Sequence, residues 1–312
     1  MRSTVAALAA ATLLLLASTA PQAAAGREAA QPPPLDAALI ERVVGVKPAA
    51  SGAELKVSVP QSDLAVSVDG FAIVPAMGLT SWVGFAPAPG GAMVMGDLVL
   101  LEEEVGPVQR AAVESGLAVT AIHHHFVRDR PKVAFMHVHG AGPLEDLARG
   151  VRAALDTVRR QRRGGAASGQ QSVESTFDPR AIDRILGLRD GQRGTSQGGV
   201  YKVTLGRPDV RLLQHGVEVS SFLGFNTWMA FQGTAERAAV AGDFAMLEAE
   251  VAPVIAALAR HGLEVAAVHN HMVGEEPRIV FLHFWGVGPV EALAQALKAG
   301  LDRLLGPGGP RP

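Results

Sequence analysis

The stretch GLEVAAVHNHMVGEEPRIVFLHFWG, residues 262–286, decides the fold because the chain carries it twice. Its counterpart, GLAVTAIHHHFVRDRPKVAFMHVHG, occupies residues 116–140. Each reads as two strands joined by a Pro-containing turn, RDRP (128–131) or GEEP (274–277). Working outward, the offset stays at 146 without a gap from Lys56/Lys202 into the last helix. It pairs Gly70 with Gly216, Trp82 with Trp228, Asp97 with Asp243, Glu102 with Glu248 and Glu104 with Glu250. Further upstream, LDAALIERVVGV (35–46) matches FDPRAIDRILGL (177–188) at an offset of 142. So long a match marks a duplication.

Each copy predicts the order α-βββ-α-ββ-α, an α+β unit with a mainly antiparallel sheet, the two copies related by a pseudo-two-fold. A short helix opens the copy (Leu35–Val44; Pro179–Leu186). Alternating strands follow, LKVSV, LAVSVDGFAIV and TSWVGFA in the first copy. Gly96-Asp97 and Gly242-Asp243 read as turns. A helix starts near Glu104, since Pro107 is tolerated only near a helix start, and ends at Gly116. A closing helix spans Pro143–Val158. The domain boundaries are then a first repeat at 35–158, a linker at 159–176 and a second repeat at 177–305, with flexible ends at 26–34 and 306–312.

Residues 1–25 have a different character. Arg2 precedes an apolar run from Thr4 to Ala17 of about 14 residues, short of the roughly 20 that span a bilayer. Small residues at Ala20 and Ala25 then offer cleavage sites. This is the layout of a signal peptide, predicting export to the periplasm or beyond and no membrane span after cleavage. The chain of 312 residues is 48% apolar with a net charge of −2, and its lack of a basic stripe argues against a nucleic-acid partner. With no cysteine, a metal site must use His, Asp, Glu or backbone oxygen.

Eight of the ten histidines lie in the two hairpins. Residues i and i+2 of a strand share a face, so His123 and His125 point one way, and His124 the other. With the turn centred on residue 130, residue 125 pairs with 135 and 123 with 137. His123, His125 and His137 then form one triangle, and His269, His271 and His283 a second, better-formed one. Such imidazole triads suit zinc or another divalent transition metal and leave a position open for water. Glu102, Glu104, Glu248 and Glu250 are the candidate catalytic acids and bases, with helix-dipole stabilisation as the alternative role. Trp82, Trp228, Trp285, His139 and Asn270 are candidates to line a small-molecule or cell-envelope ligand. The run His269-Asn270-His271 spells HNH, but that nuclease motif is spread over a ββα unit and is not three consecutive residues.

Gly242–Val254 (GDFAMLEAEVAPV), the hairpin at 262–286 and the helix after it resemble the LppY/LpqO-type family of exported bacterial proteins, over both halves of the chain. Copy one departs from the pattern, with HHH at 123–125 and HVHG at 137–140. The family's lipoprotein members carry a cysteine that this chain lacks, so the resemblance implies soluble export and one shared fold, and it supplies no reaction. Three readings stay open: a metal-binding protein acting as a metal-dependent hydrolase, a metal-free envelope binding module, or a scaffold with a degenerate first copy.

Overall fold

The computed structural model describes residues 33–162, 173–189 and 192–304. The expected signal peptide, most of the lead-in, the middle of the linker and the C-terminal tail lie outside them. No described helix is long and apolar enough to cross a membrane.

The first copy runs α1 (Ala37–Val44), β1 (Ala49–Ser51), β2 (Glu54–Pro60), β3 (Val66–Val68), β4 (Phe71–Ile73), β5 (Thr80–Ala88), β6 (Gly91–Leu101), α2 (Glu102–Glu114), β7 (Ala118–His123), β8 (Val133–Gly142) and α3 (Leu144–Gln161). The second runs α4 (Pro179–Leu186), β9 (Thr195–Gln197), β10 (Val200–Gly206), β11 (Leu213–Gln214), β12 (Val217–Glu218), β13 (Asn226–Gly233), β14 (Ala238–Leu247), α5 (Glu248–Arg260), β15 (Glu264–His269), β16 (Glu275–Glu276), β17 (Ile279–Gly288) and α6 (Val290–Leu304). Each copy builds a six-stranded antiparallel sheet, ordered β1-β2-β5-β6-β8-β7 and, equivalently, β9-β10-β13-β14-β17-β15.

The sheets are buried on both sides. Even-numbered residues of β8, such as Met136 and Val138, pack under α1–α3 with Val94 and Leu98. Leu282 and Phe284 of β17 do the same under α4–α6. Odd-numbered residues face the other copy: Phe135 and Val99 share a cluster with Ala239 and Trp285, while Met93 and Met95 share one with Ala245 and Phe281. The layers are therefore helix, sheet, sheet, helix, with the duplicated sheets face to face.

Two sequence expectations change here. Gly96-Asp97 and Gly242-Asp243 are not turns but sit mid-strand in β6 and β14. A strand covered on both faces reads as a continuous apolar run and gives no alternation to recognise. The helix α2 starts at Glu102, two residues before the expected point, and keeps Pro107 inside its second turn. Gly116 and Gly262 do close their helices, with φ of 83° and 78°.

The hairpins β3–β4 and β11–β12 turn on Asp69-Gly70 and His215-Gly216, both residues of each pair at positive φ, the two-residue turn that suits twisted strands. They act as arms that reach the opposite copy. Phe71 packs edge-on against Trp285, whose indole N–H donates to Asp69 Oδ2 at 2.9 Å. Leu212 and Val219 of the other arm pack with Ala86 and Met93.

Candidate functional site

One transverse row of each sheet carries the chemistry. Across the first sheet, Ser58, Trp82, Asp97, His137 and Ala121 are successive cross-strand partners. Across the second, Thr204, Trp228, Asp243, His283 and Ala267 repeat the series. Because the sheets face each other, the two rows meet.

The expected hairpin register is shifted by two residues. His123 pairs with Phe135 and Ala121 with His137, with a bulge between Val119 and Ala121. A shift of two keeps every side chain on its face, so the histidines still converge. The strand ends at His123, and His125 enters from the loop that follows. That loop is held by Asp129, whose carboxylate accepts from Val133 N–H at 2.7 Å and from Lys132 at 2.8 Å.

The two expected triangles are not separate. His123 stacks on His269 at 3.7 Å between ring centroids, on the pseudo-two-fold. His125 lies 3.7 Å from His283, and its equivalent, His271, 4.1 Å from His137. Each outer pair thus takes one ring from each copy. Donor atoms within 4.8 Å of one another fall into three sets: His123, His137 and His269; His123, His125 and His283; and Asp243, His269 and His271. Two of the three mix copies.

The tautomers of His137 and His283 are fixed. His137 Nδ1 lies 3.1 Å from Gly96 O, and His283 Nδ1 lies 3.0 Å from Gly242 O. A carbonyl only accepts, so each Nδ1 carries the proton and each Nε2 offers a lone pair to the cluster. Asp243 Oδ2 stands 3.3 Å from His271 Nε2 and 3.9 Å from His283 Nε2, and Asp97 Oδ2 stands 3.6 Å from His125 Nε2. Burial pushes all six rings below the ordinary histidine pKa, His137 to about 4 and His269 to about 3. Burial also raises both Asp97 and Asp243. The imidazoles are neutral, as metal ligation requires. Eight of their nitrogens, His123 Nδ1 and Nε2, His125 Nδ1 and Nε2, His137 Nε2, His269 Nε2, His271 Nδ1 and His283 Nε2, are buried without a hydrogen-bond partner among the described residues.

A cavity of about 610 Å³ opens onto the cluster, lined by residues of both copies. Trp82 and Trp228 form its walls, with Asp97, Asp243, His137 and His283 among its lining. Each indole fits against a glycine of the other copy. A Cβ on Gly224 would lie 2.8 Å from the Trp82 ring, and one on Gly78 3.1 Å from Trp228. Lys56 and Lys202 lie over these rings, their ammonium nitrogens 4.3 and 4.1 Å from the ring centroids.

The other candidates have different surroundings. Trp285 is a core residue tied to Asp69, because its row falls under the β3–β4 arm. His139, its counterpart in copy one, packs edge-on to His215, the counterpart of Asp69, at 5.7 Å. It therefore belongs to the second arm and does not line the cavity. Asn270 links the edge strands, its amide donating to the carbonyls of Thr120 and Met272. Glu104 accepts from Leu101 N–H at 2.7 Å and binds Arg162 at 2.6 Å, and Glu250 accepts from Leu247 N–H and binds Arg207, each at 2.8 Å or less. These are helix-capping carboxylates. Glu102 and Glu248 are exposed at the same helix starts, outside the cavity. The carboxylates that do meet the histidines, Asp97 and Asp243, were legible only as charged residues inside apolar runs repeated at the 146 spacing.

A family model described as Domain of Unknown Function (DUF1259) matches residues 38–157 and again 180–303. No curated protein matches the chain. Among solved structures, EtuB from Clostridium kluyveri aligns at 11% identity over 82% of this chain and 89% of its own, with a TM-score of 0.20. The trimeric bacterial microcompartment shell protein PduB aligns at 13% identity over 82% and 90%, also with a TM-score of 0.20. At such TM-scores neither likeness bears on fold or function.

Proposed function

We propose, for a chain that belongs to this twice-matched family, that the six histidines form one centre shared by both copies and holding a divalent transition metal ion, zinc being the candidate. The observation that carries this reading is the set of eight buried imidazole nitrogens without a hydrogen-bond partner, converging beside a cavity. Buried polar atoms are normally satisfied, and an ion is one explanation for a cluster that is not. The centre would use neutral His Nε2 donors oriented by backbone carbonyls, with Asp97 and Asp243 offsetting the ion's charge.

Metal-dependent hydrolysis is the reaction for which the parts are at hand. A bound ion lowers the pKa of water, and a buried carboxylate whose pKa is raised is suited to accept its proton. The apolar N-terminal run and the LppY/LpqO-type resemblance support export to the cell envelope. The competing reading, a metal-free binding module, is favoured by the Lys56–Trp82 and Lys202–Trp228 pairs, which form without an ion. Cobalt(II) titration of tag-free, chelator-treated protein separates the two. The metal reading predicts a saturable visible absorption band and ester hydrolysis that disappears on chelation; a flat titration supports the metal-free module.

A further inference from the structure

We infer that the cavity takes its ligand through an oxyanion group, carboxylate or phosphoryl, held between Lys56 and Lys202. This rests on reading the cavity as the ligand site, and it stands whether or not a metal ion is bound.

The duplication places a lysine at the same position of β2 and β10, and both side chains enter one cavity. Lys56 Nζ donates to Phe222 O at 2.6 Å, which leaves two of its N–H groups without an acceptor among the described residues. For Lys202 Nζ the structure gives the Trp228 ring and no hydrogen-bond acceptor among the described residues. Neither ammonium has a carboxylate within 4.0 Å among the described residues.

Two cations in one cavity repel, and the charge of Lys56 is felt at Lys202. The nearby acids are occupied: Glu54 accepts from the Ser220 hydroxyl, and Asp243 accepts from Leu282 N–H and faces His271. Half-buried cations with so little local compensation carry a desolvation cost that an anion completing the site would offset. An oxyanion between them would receive charge-assisted hydrogen bonds from both sides. The indole walls would flank the rest of the molecule, so the ligand class is a small organic anion with an apolar or planar body. Lys202 acts electrostatically on His125 and Asp243, so the anion would lie beside the histidine cluster.

The probes are phenyl phosphate, benzoate and neutral benzyl alcohol. Binding is read by calorimetry and tryptophan fluorescence, with metal content measured on the same samples. The expected result is binding of at least one of the two anions over benzyl alcohol, weakened about tenfold or more by Lys202→Gln and further by the Lys56→Gln/Lys202→Gln double variant. Lys202→Arg, which keeps the charge, retains binding and serves as the folded control. Lysine-dependent binding in protein that holds no metal upholds this inference and sinks the metal reading; metal without lysine-dependent binding does the reverse. Equal binding of benzyl alcohol, or no binding of either anion at millimolar concentration, overturns it.

Discussion

At the residue scale, burial keeps these histidines neutral, the form in which an imidazole can ligate a metal, and it makes the fold sensitive to acid. Each ring is held below its unfolded pKa of 6.5 by burial. Below pH 6.5 the unfolded chain binds protons that the folded chain refuses, so stability present above 6.5 falls with pH until the folded pKa is reached, about 4 for His137. Each such ring contributes a slope of roughly 1.4 kcal/mol per pH unit. Asp97 and Asp243, raised by burial, act in the opposite sense, but six rings outweigh two carboxylates. Urea unfolding of chelator-treated protein at pH 7, 5.5 and 4.5 should show stability falling across the series; a flat profile would contradict neutral burial. The glutamates give a second test. Glu104→Ala removes both the cap on Leu101 and the partner of Arg162, and should cost about 2–4 kcal/mol in thermal or urea unfolding. Glu102→Ala should leave the midpoint and the metal content unchanged.

At the element scale, the site depends on the central strands β6 and β14. Gly242 packs so closely that a Cβ would lie 2.1 Å from Trp228 O and 2.4 Å from the Phe284 ring. Gly242→Ala should therefore destabilise the fold by about 1–3 kcal/mol and displace Asp243, visible as a lower unfolding midpoint together with reduced metal content. A variant of wild-type stability would mean that the strand is less tightly fitted than described. These strands also mark the limit of what the sequence discloses. The hairpins were legible because their histidines alternate and recur at a fixed spacing. The glycine caps at Gly116 and Gly262 were legible for a comparable reason, since a helix end needs a residue that accepts positive φ. The strand around Gly96-Asp97 was not, because a strand buried on both faces shows no period and a Gly-Asp pair imitates a turn. The register slip of two went unseen because the loop between His123 and Val133 is centred on residue 129 and not on 130 as the Pro-containing turn suggests, yet its even parity keeps the expected face correct.

At the scale of the whole molecule, duplication did more than repeat a site. Read singly, each copy offers one triangle of three histidines, the second the better formed. Facing the sheets toward each other merges the two sets, so that His125 meets His283 and His137 meets His271. No local pattern encodes that meeting; it follows from which sheet face lacks helices. The most direct test is the metal content of tag-free protein compared with that of His137→Ala and His283→Ala, one substitution in each copy. A shared centre requires a stoichiometric transition metal in the unsubstituted protein and a clear loss in both variants, each still folded. Absence of metal at micromolar supply, or loss confined to the second-copy variant, would contradict a centre shared between the copies.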